Sequence, residues 1–348
     1  MKRSLLIPFV LATAFFFLTA TTGLGQKRST VDIANLPKAE VVKVYDHYPK
    51  QRNNECNLAS KDGLSFFYID QNEQSKKMEL HQWNVADETI TKSIVLPMFG
   101  VCSADLSAND RVLAVGSIGE GILCWDIKTG KHLILKPHEE FLSYVSLSPD
   151  GALLASTGHK DKQIKLTKTK SGASAKSTVL DTFAGRGDSR PPRFSNDGKY
   201  FVDNTASDVV KMWDTKAFKP LWTVKNDGNP VNDYAFTPNS KSLIIVSFRG
   251  QITVVDVKTG EKQNIIQTKD YSILGISVSP NGKTFATFGL NRVAEKPTVL
   301  IWNTEKMEPI SSFDDFTGNR ISFSYLTDGF GLIVFGETPN HIRVPDVN

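Results

Sequence analysis

Cysteine is scarce in this 348-residue chain, with only Cys56, Cys102 and Cys124. Their spacing matches no metal site, and the odd count leaves at least one thiol over. Histidine is equally thin. His47, His81, His132, His138, His159 and His341 are scattered, and none forms a pair at metal-binding spacing. Neither charge dominates: 41 Lys+Arg against 37 Asp+Glu give +4, and Lys2 and Arg3 account for two of those charges. No long basic run interleaved with aromatics occurs, so nucleic acid is not an expected partner. A Gly-x-Ser-x-Gly nucleophile elbow is missing too. Val115-Gly116-Ser117-Ile118-Gly119 only approaches it, and no α/β segment is available to carry a hydrolase domain. Asp314-Asp315 lacks the alternating oxygen ligands of a calcium loop, because Phe313 and Phe316 flank it. No metal and no cofactor are therefore expected.

What is present begins with a leader. Lys2 and Arg3 precede an apolar stretch, Leu5 to Leu18, and Gly23-Leu24-Gly25 forms a small-x-small cleavage site before Gln26. Residues 1–25 read as a signal peptide and 26–38 as a linker. The stretch is short of the roughly 20 residues a membrane span needs, so no membrane insertion is expected beyond the leader. The folded part then lies outside the cytoplasm, periplasmic or secreted. The alternative is an uncleaved N-terminal anchor with the same extracytoplasmic placement. With 40% hydrophobic and 22% charged residues and no low-complexity tract, the remainder can form a packed core.

Residues 39–348 are organised by a repeat. Its clearest unit runs from His138 to Gly172 and contains the turn Ser148-Pro149-Asp150-Gly151 between an alternating strand and an apolar one. The turn recurs, with variations, so that its third position falls at 62, 109, 150, 197, 239, 281 and 328. A second column reads Trp83, Trp125, Thr167, Trp213, Val255, Trp302 and Pro345, followed in part by Asp126, Asp214 and Asp256. Two columns sharing one period, with steps of 41–47 residues, define seven units. Pro, at positions 149, 238 and 280, can preset φ, and Asp or Asn followed by Gly supplies caps and positive φ. The run after the turn (Val112 to Val115, Leu243 to Val246, Leu332 to Phe335) is continuously apolar, as a strand covered on both faces requires. The expected architecture is an all-β, seven-bladed β-propeller of four-stranded antiparallel blades. The last unit lacks an outer strand, and Val41, Val42 and Val44 alternate within residues 39–45. That segment is expected to supply the missing strand and close the ring.

These residues resemble the WD-repeat family, as a degenerate, exported, bacterial-like member. The pair survives as Trp125-Asp126 and Trp213-Asp214, and as Trp-Asn at Trp83 and Trp302. The resemblance covers roughly residues 40–348 and implies a propeller, while saying almost nothing about activity. It also implies a buried network of a His, a turn Asp and the Trp. Only the third unit keeps much of this, through His138 and Asp161, and there Thr167 replaces the Trp.

The fold expectation frames the remaining candidates. Cys102 and Cys124 fall on the first and third strands of blade two, about 9–10 Å apart, which exceeds disulfide reach. A Cys56–Cys102 bridge stays open, although free thiols are expected. Asp126-x-x-Thr129-Gly130 and Asp256-x-x-Thr259-Gly260 resemble part of the docking repeat of quinone-cofactor propellers. That repeat would need Trp where Ile134 and Asn264 stand, so polar hairpin turns are expected instead. Arg186-Gly187-Asp188-Ser189 matches an integrin-recognition tetrapeptide but is read as a solvated loop. Phe99, Phe141, Tyr271, Phe316 and Arg320 fall on loops linking blades, and Arg249 on a loop at the same rim. Aromatic and Arg residues on a rigid rim are typical hot-spot types. The reading is a monomeric, non-catalytic scaffold that binds protein partners at this rim. The competing reading is an enzyme or small-ligand propeller using the central channel, quinone-dependent or hydrolytic. The first-strand positions offer that reading only Asp105 and Asp233.

Overall fold

Each repeated turn caps itself with its own side chains. The Ser148 hydroxyl donates to Asp150 Oδ1 (2.7 Å) and accepts from the Leu153 amide (2.8 Å). The Gly151 amide meanwhile donates to the Ser148 carbonyl, with Gly151 at φ 71°. The same hydroxyl-to-Asx bond recurs at Ser107–Asn109, Ser195–Asp197, Thr237–Asn239 and Ser279–Asn281. In blade seven Leu326 has no hydroxyl, and Asp328 caps alone by accepting from the Phe330 and Gly331 amides. These turns end the first strand of every unit and start the second in one fixed register.

The computed structural model describes residues 27–45, 48, 57–60, 63–72, 74–139, 142–170, 177–182, 190–316, 322–326, 328–335 and 338–347. They form seven antiparallel sheets, the blades of a propeller. Blade two shows the plan, with strands Val101–Leu106, Val112–Ser117, Gly121–Asp126 and His132–Leu135 from the axis outward. Because strands alternate in direction, the self-capped turns all lie on one face of the disc. The blade-to-blade links and the second-to-third-strand turns lie on the other. We call these the turn face and the loop face.

The core lies between blades. Phe66, Leu113, Leu154, Phe201, Leu243, Phe285 and Leu332 sit six residues after the start of each turn, and all are fully buried. Their third-strand partners are Trp83, Trp125, Thr167, Trp213, Val255, Trp302 and Ile342. The seventh member is thus Ile342, not Pro345. The third strand of blade seven is Asn340–Arg343, ending before a residue that could donate no ladder hydrogen bond. Each Trp packs on the preceding blade: Trp125 joins Phe67, Ile69 and Leu80 of blade one, and Trp302 joins Ile244, Val246 and Ile266 of blade five.

The N-terminal segment wraps three blades. Val41–Val44 pairs antiparallel with the third strand of blade seven and closes the ring as expected. Lys27–Val31 lies within the expected linker, yet it forms a strand. It pairs in parallel with Asn264–Thr268 and gives blade five a fifth strand. Between them, the Ala39 amide donates to the Ser312 carbonyl on the outer strand of blade six (2.8 Å).

Candidate functional site

The first strands line the axis, and their chemistry decides what the channel can do. In blades two, three, five and six this strand carries a one-residue bulge at an equivalent place. A bulge re-aims the extra side chain. In blades five and six the extra residues are Asn232 and Leu274. Together with Tyr144, Arg190, Pro191 and Asp233 they line a cavity of about 320 Å³ at the channel mouth. Arg190 donates from Nε to the Val231 carbonyl (2.7 Å) and from Nη2 to Asn232 Oδ1 (3.1 Å), while Asn232 Nδ2 donates to the Ile273 carbonyl (2.7 Å).

Both channel carboxylates hold neighbouring blades together. Asp105 Oδ2 accepts from the Leu147 amide of blade three (2.7 Å). Asp233 Oδ2 accepts from the Ile276 amide of blade six (3.1 Å), and Arg193 Nη2 lies 3.6 Å from its other oxygen. Ser103 repeats the arrangement, accepting from the Val145 amide (3.2 Å). General acid–base work needs a carboxyl free to exchange a proton with a substrate, and these two are engaged in the wall. Among the described residues, no three His, Cys, Asp or Glu side chains are grouped to hold a metal ion.

The buried polar network implied at blade three is present. His138 Nδ1 lies 2.8 Å from Asp161 Oδ2, and His138 Nε2 lies 2.9 Å from Ser156 Oγ. An ionised carboxylate can only accept, so Nδ1 carries the proton and donates. Burial lowers the His138 pKa, more than the Asp161 charge raises it. Burial pulls Asp161 upward, but bonds from Lys165 and His138 bring it below the ordinary carboxylate value. Elsewhere the network thins. The position of Ser156 is taken by Asp203 and Thr287 in blades four and six, which accept the indole N–H of Trp213 (2.8 Å) and Trp302 (2.9 Å). In blade two Val115 stands there, and the Trp125 N–H has no partner. Cys124 is buried, which pushes its thiol up to about 12 and leaves it inert.

The rim candidates separate. Phe99 is 58% exposed and Arg249 is exposed, both on the loop face. Tyr271 is instead 1% exposed. Its hydroxyl lies 3.1 Å and 3.0 Å from the carbonyls of Thr287 and Thr298, so it braces blade six from within and offers a partner nothing. Phe316 is half-buried against Phe313 and Phe288. Phe141, Arg320, Cys56, the tetrapeptide 186–189 and the leader 1–25 lie outside the described residues. The loop face also exposes Ile118, Phe248, Leu274, Leu290 and Val293. For Val293 the sequence signal was a large apolar residue in a hairpin turn flanked by Asn291, Arg292 and Glu295.

Seven meander blades, stapled at the axis and closed by an N-terminal strand, define a seven-bladed β-propeller. A family model described as WD domain, G-beta repeat, matches residues 131–167, the span of blade three that carries His138 and Asp161. Blade three thus carries the WD-repeat signature within a seven-bladed β-propeller, and the whole chain is similar to WD-repeat proteins. It is 26% identical over 134 residues to Pre-mRNA-processing factor 17 of Saccharomyces cerevisiae, a match covering 38% of this chain and 28% of that protein. It is 25% identical over 199 residues to WD repeat-containing protein AAC3 of Dictyostelium discoideum (55% and 39% covered). It is 26% identical over 178 residues to the LST8 homolog of Drosophila melanogaster (50% and 56% covered). The chain thus spans about a quarter to just over half of these relatives' lengths. The β-propeller domain of Myceliophteria thermophila Cps50 (Swd1) superposes with a TM-score of 0.70 at 12% identity, over 88% of this chain and all of that domain. That likeness is one of fold.

Proposed function

We propose that the chain is a non-catalytic, monomeric protein-binding scaffold that receives its partner on the loop face. Propellers of this repeat type commonly bind proteins. The observation that carries the reading is the set of exposed apolar side chains gathered there, among them Phe99, Phe248 and Val293 at 58%, 49% and 77% exposure. Large apolar side chains exposed repeatedly on one face of an otherwise polar protein point to an interaction site. We place this activity outside the cytoplasm, either secreted or periplasmic or held by an uncleaved anchor; that placement rests on residues 1–25 alone, as does the bacterial-like character. The test is a pull-down of the C-terminally tagged protein from its extracytoplasmic fraction, with metal analysis of the purified sample. A stoichiometric protein partner without metal supports the scaffold. A bound metal or organic cofactor without a protein partner overturns it in favour of channel chemistry.

A further inference from the structure

We propose that the loop face of blades five and six is a docking site for a protein segment presenting an apolar side chain flanked by carboxylates. This rests on the scaffold reading above and specifies the site and the partner's chemistry. The second strand of blade six runs to Asn291, whereas those of blades two and five end at Ser117 and Ser247. Counted from the equivalent residues Phe285, Leu113 and Leu243, the blade-six strand is two residues longer, so its hairpin stands above its neighbours. The tip is held in place: Asn291 Oδ1 accepts from the amides of Val293 (3.0 Å) and Ala294 (3.1 Å). At this ordered tip Val293 is 77% exposed.

The tip is tied to blade five. Arg292 donates from Nε to Ser272 Oγ (2.7 Å), and its guanidinium carbon lies 5.9 Å from the centre of the Phe248 ring. Phe248 (49% exposed) therefore lies beside the tip that carries Val293, and Leu290 (40%) and the bulged Leu274 (43%) lie on the paired blade-six strands below it. A lone exposed apolar residue is ordinary; four around one hairpin are not. Leu274 also lines the channel-mouth cavity, a recess that receives a side chain better than a flat bilayer does.

Charge selects the occupant. Arg249 and Arg292 are exposed, and neither has a carboxylate within 4.0 Å among the described residues. The acid on the adjoining loop, Asp227, is already engaged by Lys262 (2.6 Å). Asp270 and Glu295 are exposed nearby, but Lys269 and Lys296 adjoin them in sequence, so the two guanidinium groups remain in surplus. A guanidinium already stacked on an aromatic ring is preorganised for a planar carboxylate.

The test is selection of a random dodecamer peptide library on the immobilised protein, followed by affinities of one selected peptide for variants. We expect Asp or Glu beside Leu or Phe among the selected peptides. Binding should fall at least about tenfold in Phe248→Ser and in the double variant Arg249→Glu/Arg292→Glu. Selection on the double variant should shift to basic peptides, while thermal unfolding stays unchanged. Peptides without acids, or acidic peptides indifferent to these substitutions, would overturn the site. If their binding falls instead in Phe99→Ser, this site fails and the scaffold reading stands. Patch-dependent sedimentation with phosphatidylserine vesicles and no peptide selection would replace the protein segment by a membrane. No selection on any face counts against both readings.

Discussion

The two faces of the disc obey different rules. On the turn face, one short motif recurs seven times, and most copies satisfy the backbone through the same hydroxyl and Asx oxygen. Sequence there is fixed by the need to end one strand and begin the next. On the loop face the hairpins differ in length and anchoring: blade six projects, and blade three is tied down by His138 and Asp161. Where the backbone does not dictate the residue, exposed Phe248 and Val293 are free to serve a partner. The turn face has its own exposed apolar pair, Leu64 and Phe330, on adjoining blades. That pair is the natural rival to the loop face.

The largest effect should come from a loop-face position that follows the rule of the turn face. Gly250 has φ 79°, and a Cβ there would lie 2.2 Å from Thr268 Oγ1 and 2.3 Å from the Tyr271 carbonyl. Gly250→Ala should cost about 4 kcal/mol or more in denaturant unfolding, which would show that the loop face contains its own fixed points. Next comes the turn hydroxyl. Ser195→Ala strands the Tyr200 amide that Ser195 Oγ accepts at 2.9 Å, and should cost about 1–3 kcal/mol. An unchanged midpoint would remove the stated reason for the repeat.

Blade three gives a pH-dependent contrast. Burial holds the His138 pKa below its ordinary 6.5, so the unfolded chain binds the proton more readily than the folded one. Stability should be constant well above pH 6.5 and fall as pH drops below it, by up to about 1.4 kcal/mol per pH unit. His138→Gln should reduce that slope in unfolding measured between pH 7.5 and 5.5, leaving the part due to His81 and His341, whose pKa values burial also lowers. The smallest stability effects belong to the loop-face patch. Phe248→Ser and Val293→Ser should unfold within about 0.5 kcal/mol of the parent protein, and a larger loss would mean the side chains are structural.

The same division explains what could be read from the sequence. Turns, apolar second strands and the closing strand were legible because each has a local signal: a Gly after Asp or Asn, a continuous run, an alternation at Val41–Val44. The strand Lys27–Val31 had none, since four of its five residues are exposed and its partner lies over 230 positions away. Placing Pro345 in the Trp column extended the period by its usual step. The blade-seven hairpin is shorter overall, and cross-strand pairing with Leu332 selects Ile342. Tyr271 looked like a rim hot spot by residue type, yet its ring belongs to the core beneath blade six. Residue type reveals what a side chain can do; only the register of its strand decides whether it meets solvent. The patch at Phe248, Leu274 and Val293 arises from a longer hairpin and a bulge, neither of which alters the repeat columns.

The most direct measurement compares capture of the stoichiometric partner by two variants from the same extracytoplasmic fraction. One carries Phe99→Ser, Phe248→Ser and Val293→Ser on the loop face, and the other carries Leu64→Ser and Phe330→Ser on the turn face. The account predicts that the first variant loses the partner and the second keeps it, with both folded. Loss in the turn-face variant and retention in the loop-face variant would contradict it.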